Sequence, residues 1–225
     1  MEPKILFIGG TGTISAACVR EAVGLGYSVT VLNRGRSGLR PVPDGVEVLH
    51  ADLDDTPSVV SALAGRRFDV VADFMSFTVD RLERNVGLFS GRVGQYVYIS
   101  SASAYAKPVA SLPIRESTPL RNPFWQYSRD KIACEDLLVR RYRDEGFPVT
   151  IVRPSHTYDQ FALPTHGGWT QIARMRAGKP AVVHGDGTAK HLQRHAGRKM
   201  FAGAADDQGA RLARLVQLHQ RLVQL

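Results

Sequence analysis

The chain has 225 residues, 44% apolar and 22% charged. That specifies one globular domain, or one with part of a second, and excludes a disordered or fibrous polypeptide. There is no apolar run of membrane-spanning length and no signal-peptide pattern, and Cys18 and Cys134 lack metal or redox spacing, so the expectation is a cytoplasmic protein with reduced thiols and no membrane partner. The net charge of +8 does not imply nucleic acid, because seven Lys/Arg against Asp206 and Asp207 place +5 of it beyond Thr188, where Phe201 is the one aromatic.

In chain order, Lys4-Ile5-Leu6-Phe7-Ile8 reads as a buried strand, Gly9-Gly10-Thr11-Gly12 as a tight turn, and Thr13 onward as a helix with Ala16, Val19, Ala22 and Val23 on its apolar side. A helix N-terminus at such a turn offers unpaired N–H groups and partial positive charge to an anion, which makes Gly9, Gly12, Thr13 and Ile14 candidate dinucleotide ligands. Taken alone, the turn is equally a device for packing a βα unit. Residues 27–32 form a second strand closed by Asn33, with Arg34 and Arg36 beyond it. An acid here would accept from a ribose 2′-OH, whereas arginines accommodate a 2′-phosphate, so NADP is favoured over NAD; the plain alternative is a solvated basic loop. A third strand at 46–50 leads to Asp52 and Leu53, where Asp52 is a candidate for the adenine amino group or an N-cap for the helix through Val59 and Leu63. Strands at 68–74 and 95–99, with a helix through Leu82 and Leu88 between them, complete an alternation that predicts an α/β fold with a doubly wound parallel sheet.

The fifth strand ends in a serine cluster containing Ser101 and Ser103, and Tyr127 and Lys131 stand one helical turn apart further on. A phenol ionises near pH 10, so work as a base at neutral pH requires about 4 kcal/mol of preferential phenolate stabilisation. A lysine in a partly buried cleft supplies about that much at 4 Å, whereas an exposed one supplies about 1 kcal/mol. On its own the pair could equally lie on an exposed helix face.

Glycine turn, serine cluster and Tyr-x-x-x-Lys together resemble the short-chain dehydrogenase/reductase superfamily, and within it the extended branch of nucleotide-sugar epimerases and dehydratases. Asp52-Leu53, Asn122-Pro123, the Arg153-Pro154 to Tyr158 segment and Gly185-Asp186-Gly187-Thr188 extend the resemblance over residues 4–188. It implies a Rossmann-type domain over 1–188 that includes the start of a substrate lobe. It further implies that Tyr127 is the general acid/base, that Lys131 lowers its pKa and holds the nicotinamide ribose, that Ser101 (or Ser103) bonds the reacting oxygen, and that Pro154 lines the nicotinamide site. The implied activity is NAD(P)-dependent oxidation or reduction of a carbonyl/hydroxyl carbon on a small molecule, a nucleotide sugar by this resemblance.

Three features depart from that pattern. Ser15 stands where a glycine is usual, and Phe74-Met75-Ser76 replaces a small alanine-rich segment beside the cofactor. Residues 189–225 have no counterpart; they form an atypical basic tail whose amphipathic stretch from Ala210 suggests a helix for self-association, hence a homodimer. The curtailed lobe keeps open a dinucleotide-binding protein without turnover. A serine hydrolase is remote, since no serine lies in a G-x-S-x-G elbow. His156, His166, His184, His191 and His195 show no zinc spacing, and no metal is expected. Trp125 and Trp169 are expected to pack or to line the pocket.

Overall fold

A computed structural model describes residues 2–163 and 167–180. Six strands, β1 (Lys4–Ile8), β2 (Ser28–Asn33), β3 (Glu47–His50), β4 (Phe68–Asp73), β5 (Val93–Ile99) and β6 (Val149–Val152), form one sheet in the order β3-β2-β1-β4-β5-β6. Every pairing is parallel, with Ile5 opposite Val29 on one side and Val70 on the other. Five helices accompany them: α1 (Thr13–Gly24), α2 (Thr56–Leu63), α3 (Val79–Phe89), α4 (Gln126–Glu145) and α5 (Trp169–Arg176). The order is that of the Rossmann fold, whose chain reverses direction across the sheet between the two central strands, here β1 and β4.

The two-residue period of a strand divides the core. Leu6, Ile8, Val71, Tyr96 and Tyr98 face α2, α3 and α4, which contribute Val59, Leu63, Leu82, Val86, Cys134 and Leu138. Ile5, Phe7, Val70, Ala72 and Val97 point the other way, against Cys18, Val19 and Ala22 of α1. The helices stop for local reasons: Gly146 ends α4 in the left-handed region, φ 68°, with its N–H on the Tyr142 carbonyl. The N-cap of α2 is Asp55, whose carboxylate accepts from the Ser58 N–H, and not Asp52. The Gly185–Thr188 turn, the 189–225 tail with its expected helix, the 188/189 boundary, His166, His184, His191 and His195 lie outside the described residues.

Candidate active site

At the carboxyl edge of β1, β2, β4 and β5 a crevice of about 720 Å³ opens. Every residue assigned to a site from sequence lines it: Gly9, Gly12, Thr13 and Ile14 at the first turn; Asn33, Arg34, Arg36, Asp52 and Leu53 towards one end; Ser101, Tyr127, Lys131 and Pro154 towards the other.

The first turn is built differently from the sequence pattern. The glycines with positive φ are Gly9 (103°) and Gly10 (114°), and a Cβ on Gly10 would meet the Val31 side chain at 2.6 Å. Gly10 is therefore the position where the backbone requires glycine, and the motif spacing did not single it out. Gly12 is an N-cap with negative φ. Buried Ser15, in the place of the third glycine, uses its hydroxyl as an acceptor for the Gly10 N–H (3.2 Å) and the Gly12 N–H (2.9 Å), so it braces the turn. The first N–H groups of α1, at Thr13 and Ile14, have no intrahelical carbonyl to bond, and both residues line the crevice.

Around β2, the Asn33 side-chain carbonyl accepts the Gly35 N–H at 2.7 Å, closing a local turn that presents exposed Arg34 and Arg36 at the crevice rim. Asp52 accepts the Asp54 N–H at 3.1 Å. Arg40, from the same long loop, reaches across to the segment after β6. It forks onto Asp159 (Nη2 to Oδ1 3.1 Å) while donating to the Thr13 hydroxyl at 3.1 Å, and it lies 5.4 Å above the Phe161 ring.

At the other end, α4 presents Tyr127 and Lys131 to the crevice, but the lysine behaves otherwise than expected. Lys131 is 1% exposed, and its ammonium donates to the carbonyls of Ser76 (2.8 Å) and Ile99 (2.8 Å) and to the Tyr98 hydroxyl (3.1 Å). All three donors are engaged, with none on Tyr127, whose ring centroid lies 5.9 Å away. Burial pushes the Lys131 pKa down to about 8, against the pull of Asp73. Burial also raises the Tyr127 phenol above its ordinary value, and the group that lowers it is the Ser101 hydroxyl, not the lysine. The expected acidification of Tyr127 by Lys131 is thus not seen in this arrangement. The physical reason is that the Ser76 and Ile99 carbonyls and the Tyr98 hydroxyl take all three ammonium protons, so none is left for Tyr127.

The Phe74-Met75-Ser76 departure explains the lysine's cage. Asp73, fully buried, accepts from the Met75 and Ser76 N–H groups (2.8 and 2.9 Å), the Ser76 and Tyr96 hydroxyls and the Asn85 amide (3.1 Å), which turns the Ser76 carbonyl towards Lys131. Phe74, Met75 and Phe77 meanwhile line the crevice. Sequence reading marked Ser76 only as part of a departure beside the cofactor and missed Tyr98 and Asp73. A usable signal was present: Tyr96 and Tyr98 share one face of a strand, and buried phenols require polar partners. Ser103 lies behind Ser101 and off the crevice wall, so Ser101 is the serine presented to the site. Trp125 is 54% exposed and leans on Tyr127, ring centroids 4.8 Å apart, so it is not a packing residue.

A six-stranded Rossmann sheet with a glycine turn at the N-terminus of α1 and a Tyr–Lys pair lining the same crevice is an α/β architecture in which dinucleotides commonly bind. Comparison with known proteins narrows this. The model of the NAD dependent epimerase/dehydratase family matches residues 5–191, and the chain belongs to that family. It is 31% identical over 168 residues to a UDP-glucose 4-epimerase of Lactobacillus helveticus, covering 67% of this chain and 50% of that protein. It is 29% identical over 198 residues to the chloroplast stem-loop binding protein of 41 kDa b of Arabidopsis thaliana, covering 83% and 50%. A dTDP-glucose 4,6-dehydratase of Bacillus anthracis, solved in complex with NAD, shares the fold with a TM-score of 0.68 at 17% identity, over 82% of this chain and 65% of that one. The chain spans about half the length of the curated relatives it matches. No described helix is long and apolar enough to cross a membrane.

Proposed function

We propose that the protein is an NAD(P)-dependent oxidoreductase of epimerase/dehydratase type, acting on a carbonyl/hydroxyl carbon of a nucleotide sugar through Ser101, Tyr127 and Lys131. The observation that carries this reading is the convergence of those three side chains on the wall of the same crevice that the α1 N-terminus opens into. The donor set fits a dinucleotide: free helix N–H groups for the pyrophosphate, Asp52 for the adenine, and Arg34 and Arg36 for a 2′-phosphate, with neutral Asn33 where an acid would repel it. NADP is accordingly favoured over NAD. When bound, the nicotinamide supplies or accepts the hydride.

The chain's own groups do the rest. Tyr127 carries the proton to or from the reacting oxygen, and Ser101 donates a hydrogen bond to that oxygen. Lys131 keeps a positive charge under the Tyr127 ring, and the Phe77 and Trp125 rings lie against that ring and limit where it can swing.

Mass spectrometry of small molecules released from protein purified without added nucleotide should find NADP, and NADPH should bind by fluorescence titration. Arg34→Ala with Arg36→Ala should weaken NADPH about tenfold or more and leave NADH unchanged, since only the 2′-phosphate meets those guanidiniums. Tyr127→Phe should bind NADPH normally and lose at least about a hundredfold in turnover of a UDP-hexose. Binding without turnover in the wild type would instead make the protein a dinucleotide sensor.

A further inference from the structure

Asn122, buried before α4, has its amide orientation fixed by the backbone: Oδ1 accepts the Phe124 N–H at 3.1 Å, and Nδ2 donates to the Ser103 carbonyl at 2.8 Å. The same Nδ2 also donates to the Ser128 hydroxyl at 3.3 Å. Fully buried Ser128 donates to Ser103 Oγ (2.9 Å), and Ser103 donates to Ser101 Oγ (2.9 Å). Ser101 Oγ accepts a second bond from the Ser103 N–H at 3.1 Å. A hydroxyl has two lone pairs and one proton. Both lone pairs of Ser101 are occupied from behind, so its proton is left for the crevice.

We propose that Asn122, Ser128 and Ser103 are positioning residues that set the polarity of a hydrogen-bond chain and make Ser101 an obligate donor to the reacting oxygen. The role rests on the function proposed above and deepens it. Ser101 cannot take a proton from a substrate hydroxyl, so Tyr127 is the one proton carrier of the pair. The site then favours the oxidised, carbonyl state of its substrate, or an oxyanion, over the alcohol. Asn122 thereby explains why an Asn-Pro pair precedes the Tyr-x-x-x-Lys helix: its amide is the fixed origin of the chain, held by two backbone groups that cannot reverse.

The chain can be read without substrate or cofactor, through the phenol that Ser101 faces. Protein labelled with 3-fluorotyrosine is titrated by ¹⁹F NMR, and the Tyr127 resonance is assigned by its loss in Tyr127→Phe. Ser101→Ala should raise the ionisation midpoint of Tyr127, because a donor to the phenolate is gone. Ser103→Ala and Ser128→Ala, whose hydroxyls bond to serine oxygens and not to the phenol, should each raise it by about half a pH unit, about threefold in the ionisation constant. Ser103→Thr keeps the hydroxyl and should restore the wild-type midpoint, which a purely steric role would not predict. A Ser103→Ala and a Ser128→Ala protein that both titrate with the wild type while Ser101→Ala shifts would overturn the relay, and no shift in Ser101→Ala would overturn the donation itself. Should Ser103→Ala fail to fold, Ser128→Ala carries the same reading. A protein that fails to bind any dinucleotide would refute the proposed function and leave this titration interpretable.

Discussion

Lys131 is held by two carbonyls and a phenol on the crevice wall, with the Phe77 and Tyr98 rings 4.7 and 4.6 Å from its ammonium. Such a cage fixes where the charge sits more firmly than a single partner would. It also costs hydration, which is why the pKa falls to about 8 from an ordinary 10.5. Two consequences follow from the sign of that shift. Turnover should fall as pH rises through about 8, where the ammonium loses its proton, and Lys131→Met should remove that limb from the pH–rate profile while lowering turnover throughout. For stability, the folded pKa lies below the unfolded one, so between about 8 and 10.5 the unfolded chain binds more protons. Lys131 therefore contributes stability that grows as pH rises across that window, and urea titrations should find the slope of stability against pH more positive in the wild type than in Lys131→Met, the buried thiols and phenols being common to both. Tyr127 and Lys131 were legible as a pair because one helical turn separates them. The direction of the ammonium was not, because it depends on carbonyls 55 and 32 residues away in sequence.

At the level of elements, α4 is tied to β6 by more than apolar contact. Glu135, 2% exposed, receives Arg153 through Nε (3.0 Å to each oxygen) and Nη2 (2.6 Å), together with the Ser100 hydroxyl. Arg153 also donates to the Tyr105 hydroxyl at 3.2 Å. The Arg-Pro segment after β6 is therefore a brace that sets Pro154 and α4 at a fixed separation across β5. Arg153→Ala strands a buried carboxylate and should cost about 3 kcal/mol of unfolding free energy in urea titrations. The first five strands were readable from their apolar runs and local stops, and their observed ends differ from the sequence reading by two residues at most, whereas β6 and α5 were given no bounds. The 3₁₀ turn Ala102–Ala104 was not read, and it is what turns Ser103 behind Ser101. Ser101, as N-cap, fixes it by accepting the Ser103 N–H, a local choice that competes evenly with other turns until Asn122 arrives from outside.

Across the whole molecule, the Arg40–Asp159 pair joins residues 119 apart, linking the loop after β2 to the segment after β6, with Thr13 of α1 between them. Its side chains are 12% and 16% exposed, so solvent screens it less than a surface pair. Both tied segments adjoin stretches that line the crevice. Loosening the tie should release bound nucleotide faster: Asp159→Ala should raise the NADPH dissociation rate about tenfold by stopped-flow displacement, equivalent to about 1.4 kcal/mol. The sequence by itself determined the α/β alternation, the glycine turn before α1, the basic rim after β2 and the residues that meet in the crevice, because each is written in short-range spacing or local chemistry. Tertiary structure alone decided which acceptors take the Lys131 protons, which glycine bears the strain, which way the serine hydroxyls point and which loops are tied together. Those outcomes are settled by competition among polar groups distant in sequence, and only the packed sheet brings the competitors within hydrogen-bonding distance.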